Sequence, residues 1–187
     1  MPVSYTLAKL RAMGLLVFGR DAAAERVYDE MLQRWPADAY ALASRLHLRA
    51  KRGARDDAIA DGQVLVAAHP QRSAADWFNF GFLLEEAGRL EEAEAAFRRA
   101  VALDPKLDRA WYGLGMVLIR MQRFDEAAPA LKRNTELQPM SPHGWYQLAR
   151  VHMDRRQPDE ARRIIAHLRG FEPKIAAQLE RETGLSG

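Results

Sequence analysis

Between residues 77 and 105 the apolar positions fall on two helical faces in succession. Trp77, Phe80, Gly81 and Leu84 recur at i, i+3, i+4 and i+7, the spacing that lines side chains along one side of an α-helix. Ala87-Gly88-Arg89 interrupts the pattern, and Ala93, Phe97, Ala100 and Leu103 then trace a second face. Pro105 closes the stretch, because a proline has no amide hydrogen with which to continue the ladder. The pattern predicts two antiparallel helices joined by a tight turn. Alanine and glycine at their crossing let the backbones approach closely.

The pattern returns along the chain. Pro36, Pro70, Pro105, Pro139 and Pro173 are 34, 35, 34 and 34 residues apart, and Ala24, Ala58, Ala93, Ala127 and Ala161 each stand twelve residues before one of them. Trp111, Leu114, Gly115, Leu118, Phe124, Ala127, Leu131, Leu137 and Pro139 repeat the stretch above, and Trp145, Leu148, Ala149, Ala161, Ile165 and Pro173 repeat it again. One hairpin cannot bury its own apolar face, whereas a stack of them buries a continuous core.

The order Trp, Leu-Gly, later Ala, an aromatic, another Ala and Pro resembles the tetratricopeptide repeat over about residues 5–175. The resemblance implies an all-α fold, a right-handed superhelical α-solenoid of five tetratricopeptide helix hairpins plus a C-terminal capping helix. The units would span 5–38 and 39–73, both atypical, then 74–107, 108–141 and 142–175, with a capping helix and tail over 176–187. The tail from Thr183 onward is expected to fray, and Trp77, Trp111 and Trp145 are expected to fill core positions.

The first two units break the pattern. Arg11 and Arg45 stand where the third has Phe80, Arg49 where it has Leu84, and Gly62 where it has Phe97. A buried guanidinium without a partner is costly, so these arginines are expected to reach outward or to pair with Asp56, Asp57 or Asp61, leaving the first two hairpins looser. One extra residue between Pro70 and Trp77 is expected to change the angle between units two and three.

Composition narrows the function. The chain is 48% hydrophobic and 28% charged, the proportions of an ordinary globular protein. No apolar run reaches the ~18 residues that suggest a membrane span. It has no cysteine, which removes disulfides, thiolate catalysis and zinc–cysteine sites together. Arginine greatly outnumbers lysine, twenty-three to five, and alanine is abundant, as in a GC-rich bacterial genome. The net charge is only +3, so charge alone does not imply a nucleic-acid partner.

Reactive constellations are missing. His47, His69, His143, His152 and His167 lack metal-ligand spacing. Gly113-Leu-Gly-Met has no third glycine and falls inside a helical pattern, unlike a dinucleotide-binding turn. Glu85-Glu86 and Glu91-Glu92 read as solvated faces. The expectation is a chain that is not an enzyme, with no cofactor and no metal.

One segment has two readings. Lys9 and Arg11 precede the apolar run Met13-Gly-Leu-Leu-Val-Phe-Gly19, and Ala22-Ala-Ala24 follows, roughly the plan of an export signal. The period favours a hairpin instead. Gly19-Arg20 takes the turn slot of Gly88-Arg89 and Gln122-Arg123, and Ala24, Tyr28 and Pro36 keep the register. On that reading the segment stays in the mature protein, and the chain is expected in the cytoplasm.

The resemblance also implies where partners bind, on a concave surface lined by the first helix of each hairpin. Matched position by position, its N-terminal part comprises Lys9, Met13, Tyr40, Ala43, Ser44 and His47, and its flanks Glu86 and His143. The candidate peptide-binding groove is Phe78, Asn79, Phe82, Arg109, Tyr112, Met116, Arg120, Tyr146, Gln147 and Arg150. An aromatic stripe with arginines beside it is the composition of a binding anchor. The carboxylate clamp of tetratricopeptide co-chaperones is incomplete in either frame, although Asn79 and Arg109 could hold one carboxylate. A second candidate is an anionic-ligand patch of Arg45, His47, Arg49, Lys51, Arg52 and Arg55. The leading expectation is a scaffold or adaptor that binds a protein or peptide partner in the groove. The alternatives are a secretion or assembly chaperone, a binder of acidic or nucleic-acid ligands through the patch, and a self-assembling homo-oligomeric scaffold.

Overall fold

The computed structural model describes residues 3–185, and the last two residues of the expected tail, Ser186 and Gly187, lie outside them. All regular structure among the described residues is helical. α1 (Val3–Val17) and α2 (Asp21–Arg34) form the first hairpin, followed by α3 (Ala39–Lys51) with α4 (Arg55–Ala68), and α5 (Ala74–Glu86) with α6 (Leu90–Leu103). α7 (Asp108–Arg120) pairs with α8 (Phe124–Leu137), α9 (Pro142–Asp154) with α10 (Pro158–Arg169), and α11 (Pro173–Thr183) closes the stack. Each helix packs on its neighbours in sequence, and α11 also reaches α9. The result is an α-solenoid.

The turns keep the period of the prolines. Gly19, Gly53, Gly88, Gln122 and Arg156 all have positive φ, between 57° and 82°. The next residue's amide donates back to the helix, as from Arg20 to the Leu15 carbonyl at 2.8 Å and from Arg123 to the Leu118 carbonyl at 2.8 Å. This left-handed closure satisfies carbonyls that the helix end would otherwise leave unpaired. The segment with two readings is therefore a hairpin, turning at Gly19.

The alanine register is the seam of each hairpin. Ala24, Ala58, Ala93, Ala127 and Ala161 are all completely buried. Where helices cross most closely, a side chain from one fills a glycine of the other. Phe97 lies against both Gly81 and Gly113, and Leu131 against Gly115. Gly62 serves the same end, since a Cβ there would stand 2.7 Å from the Phe80 ring. The glycine that replaces an aromatic in the second unit makes room for the aromatic of the third.

Two expectations need correcting. Trp77, Trp111 and Trp145 are half-buried at the joints between hairpins. Their indole N–H groups donate to the carbonyls of Pro70, Pro105 and Pro139 at 3.0, 3.0 and 2.9 Å, so the polar tip of each ring finds an acceptor that the apolar core lacks. The extra residue between Pro70 and Trp77 is absorbed without losing this bond. The first two hairpins have a buried cluster of their own, in which Tyr28, Met31, Leu42 and Leu65 are fully buried, but their helices pack over less of their length than those of the third and fourth. Leu185 does not fray: its side chain is buried in the main core, and its amide meets the Thr183 hydroxyl at 3.3 Å.

Candidate functional site

The main hollow, of about 660 Å³, opens between α5, α7 and the α8–α9 junction. Phe78 and Phe82 sit one turn apart on α5 and their rings stack, with centroids 6.5 Å apart. Beneath them Phe78 tilts against the buried Phe97 at 5.9 Å. Tyr112 and Met116 form the facing wall on α7. The Arg109 guanidinium lies 5.0 Å from the Phe78 ring centre, a cation–π placement that keeps the charge at the rim. Phe82 is 46% exposed.

Five of the ten groove candidates line this hollow: Phe78, Phe82, Arg109, Tyr112 and Met116. Asn79 is exposed outside it and Gln147 is half-buried. Arg120 is engaged at the edge, donating to the Glu85 backbone carbonyl at 3.0 Å and lying 3.6 Å from its carboxylate. Tyr146 and Arg150 belong to a separate hollow of about 440 Å³, completed by Met153, Asp154, Glu182 and Thr183. There the Tyr146 hydroxyl donates to Glu182 of α11 at 2.7 Å, and Arg150 lies 5.7 Å from the Tyr146 ring. The stripe expected to be continuous is divided, because the terminal helix folds back over its far end.

Several lining residues lie outside the ten groove candidates, and Asn134, Gln138 and Ser141 lie off the first helices altogether. Glu85, Asp108, Asn134, Gln138 and Ser141 also border the main hollow, together with His143. Glu85 lies one helical turn beyond Phe82 and could have been found by that spacing. Its neighbour Glu86 instead lies 3.6 Å from Arg55. Burial raises the Glu85 pKa, and the nearby Arg120 offsets only part of the effect. Gln138 and Ser141 come from the α8–α9 connection, which the period does not mark as part of the concave face. At the other end, Lys9 lies 4.1 Å from the Tyr40 ring. Ala43, Ser44 and His47 border a shallower hollow with Leu16 and Lys51.

The basic patch is not an open cationic surface. Arg45 meets Asp61 through two nitrogens, at 2.5 and 3.0 Å, and Asp29 at 2.7 Å. Arg49 bridges Asp61 at 3.0 Å and Glu25 at 3.1 Å, and Arg52 joins Glu25 at 3.0 Å. Lys51 pairs with Asp21 at 2.6 Å and Arg55 approaches Glu86 at 3.6 Å. Only His47 of the six is outside these pairs. Asp61 was an expected partner; Asp29 and Glu25 of α2 were not. Burial pushes the Glu25 carboxyl up, but hydrogen bonds from Arg52 and Arg49 outweigh it and hold the carboxyl below its usual range. The arginines that break the apolar pattern of α3 thus tie α2, α3 and α4 together.

A stack of helix hairpins with an open concave face defines the class: a helical-repeat solenoid, a fold that generally serves as a protein–protein interaction module. The profile of the tetratricopeptide repeat matches residues 84–146, about a third of the chain, and the fold is that of tetratricopeptide solenoids. Solved structures share the fold. One of MamA is 21% identical with a TM-score of 0.81, covering 97% of this chain and 96% of that one. YrrB, described as a tetratricopeptide protein with an unusual peptide-binding site, is 18% identical with a TM-score of 0.81, covering 91% and 88%. A MamA fragment from residue 41 onward, from Desulfovibrio magneticus RS-1, is 17% identical with a TM-score of 0.79, covering 99% of each chain. No curated protein matches the sequence. Among the described residues, no helix is long and apolar enough to cross a membrane.

Proposed function

We propose that the chain is a non-enzymatic scaffold or adaptor that holds a peptide segment of a partner protein in the hollow between α5 and α7. The observation that carries this reading is the stacked Phe78–Phe82 pair beside Tyr112 and Met116, with Arg109 at the rim. Phe78 and Tyr112 rest on the core, but Phe82 and Met116 belong to no buried cluster, and the buried register is already filled by Phe97, Leu84 and Leu118. An apolar floor with one cation suits a segment that offers a hydrophobic side chain and, beside it, a carboxylate. Glu85 on the opposite edge adds an acceptor for a backbone amide or a basic side chain. The peptide site named for YrrB supports a peptide as the class of occupant. Residues 5–38, 39–73, 74–107, 108–141 and 142–175 are the proposed repeat units, with 176–187 as cap and tail. The cytoplasm is the proposed location, resting on the Gly19 hairpin.

The test is capture from a library of displayed peptides by the wild type and by the Phe82→Ala/Arg109→Ala double variant. Both side chains are exposed, so the variant keeps its circular dichroism and melting temperature. Peptides enriched by the wild type should be lost by the variant. Undiminished capture by the folded variant would show that the hollow is not the site.

A further inference from the structure

We propose that the outer face of α1 is a self-association surface, on which two copies of this chain pair antiparallel with Gly14 at the crossing. The surface is separate from the groove, so its test stands apart from that of the peptide site.

The inner side of α1 is covered by its own hairpin: Tyr5 and Ala12 are buried in the N-terminal cluster, with Leu15 and Leu16 against it. The opposite side is also apolar. Leu7, Leu10, Val17 and Phe18 are 65%, 60%, 80% and 81% exposed. They share one helical face with Gly14, at steps of three and four residues, and the exposed Arg11 lies at the edge of that face, paired with Glu30 at 3.3 Å. A helix apolar on both sides has the pattern of one covered on both sides.

Gly14 says how closely the second cover approaches. Within helices, Gly62, Gly81, Gly113, Gly115 and Gly144 each receive a neighbouring side chain, with a Cβ at those sites meeting an atom within 2.2 to 3.1 Å. Gly14 is helical as well and has nothing within 4 Å. In this chain a helical glycine marks a close crossing, and at Gly14 the crossing partner is missing.

The face is complementary to itself. Leu10 lies four residues before Gly14 and Phe18 four after, so a two-fold axis at Gly14 sets Leu10 of one copy against Phe18 of the other, twice. Antiparallel pairing also opposes the two helix dipoles. The other end of the stack fits less well, because α11 exposes Lys174, Arg181 and Glu182, and an apolar face gains little from burying three more charges, whereas its own Arg11 already has Glu30 as a partner. Covering the four side chains and the backbone at Gly14 removes roughly 500 Å² per copy from water, or about 1,000 Å² per pair, at the lower limit for a specific interface. That size suits a reversible dimer of micromolar affinity.

The experiment is sedimentation velocity of the full chain at rising concentration through the micromolar range, on wild type, Leu10→Glu and Gly14→Leu. The wild type should pass from monomer to dimer. Gly14→Leu meets no atom of its own chain and improves helix propensity, so it should fold at least as well while self-association weakens about tenfold or more. Leu10→Glu should be monomeric. Since the sequence has no cysteine, Gly14→Cys should be joined into dimers by a short bifunctional maleimide, and Ala95→Cys on α6 should not. A wild type monomeric throughout would overturn the proposal and leave the face to a different protein or to another segment of a longer chain. A dimer indifferent to Gly14→Leu, or joined equally through either cysteine, would overturn it too.

Discussion

The Tyr146 hydroxyl and the Glu182 carboxylate are 36 positions apart in the chain and 2.7 Å apart in the fold. That bond ties α11 across the end of the concave face. Gln178 steadies it by donating to Glu182 at 2.8 Å.

Acid should loosen this tie. Gln178 first, and then Tyr146, hold the Glu182 carboxyl below its ordinary value of 4.5. A carboxylate depressed by folding contributes stability above its unfolded pKa, and loses it as pH falls through the folded one. The bond to Glu182 in turn raises the Tyr146 pKa, so the contact is complete from above pH 4.5 to beyond the ordinary tyrosine range. Protection of the α11 amides, taken relative to the intrinsic exchange rate at each pH, should be high across that window and should fall below it. Tyr146→Phe should show the low protection at neutral pH. Unchanged protection in that variant would mean that α11 is held by Ala176 and Leu179 alone.

Asp61 should be the costliest surface-element carboxylate to remove. It is 3% exposed and accepts from both Arg45 and Arg49. Asp61→Asn leaves two half-buried guanidinium groups short of charge, and a loss of about 3 kcal/mol is expected in urea unfolding. Arg11→Ala breaks only the exposed Arg11–Glu30 pair at 3.3 Å, and should cost less than about 1 kcal/mol. Equal losses would mean that the network does not act as a buried unit.

Alanine at two helical glycines should have opposite effects. At Gly113 a Cβ would stand 2.7 Å from the Phe97 ring, which is fully buried and has no room to withdraw. Gly113→Ala should lower stability by about 1–3 kcal/mol. Gly14→Ala meets nothing within 4 Å and should raise it by up to about 1 kcal/mol through helix propensity. Thermal melts of the two variants at matched low concentration would decide.

Two turns carry a side chain where three carry glycine. Gln122 and Arg156 adopt φ of 59° and 57°, a left-handed conformation in which a Cβ crowds the following carbonyl. Gln122→Gly and Arg156→Gly should each raise stability by about 0.5–1 kcal/mol, net of the greater chain entropy of glycine. Lower melting temperatures in both would show that those side chains make contacts outweighing the backbone strain.

What the sequence made legible was whatever repeats. Turn, alanine and proline positions recur on one period, so a single well-patterned unit interprets the weaker ones, and even the apolar run near Gly19 finds its place. Pairings that occur once were not legible. Asp61 was one of three candidate partners for Arg45, and nothing periodic indicates Asp29 or Glu25, which lie on the preceding hairpin. Tyr146 matched the groove pattern as well as Tyr112 did, yet only the fold brings Glu182 onto it. The tryptophans recur as faithfully as the alanines, but a period cannot reveal that each indole turns to a proline carbonyl instead of entering the core.

Those indoles give the molecule a built-in optical ruler. Trp77, Trp111 and Trp145 stand at three successive joints, each hydrogen-bonded to the residue that ends the preceding hairpin. When a joint opens, its indole exchanges a carbonyl for water and its emission changes. Chains retaining one of these tryptophans at a time therefore report which joint parts first when the stack is unfolded, pulled or loaded with a ligand.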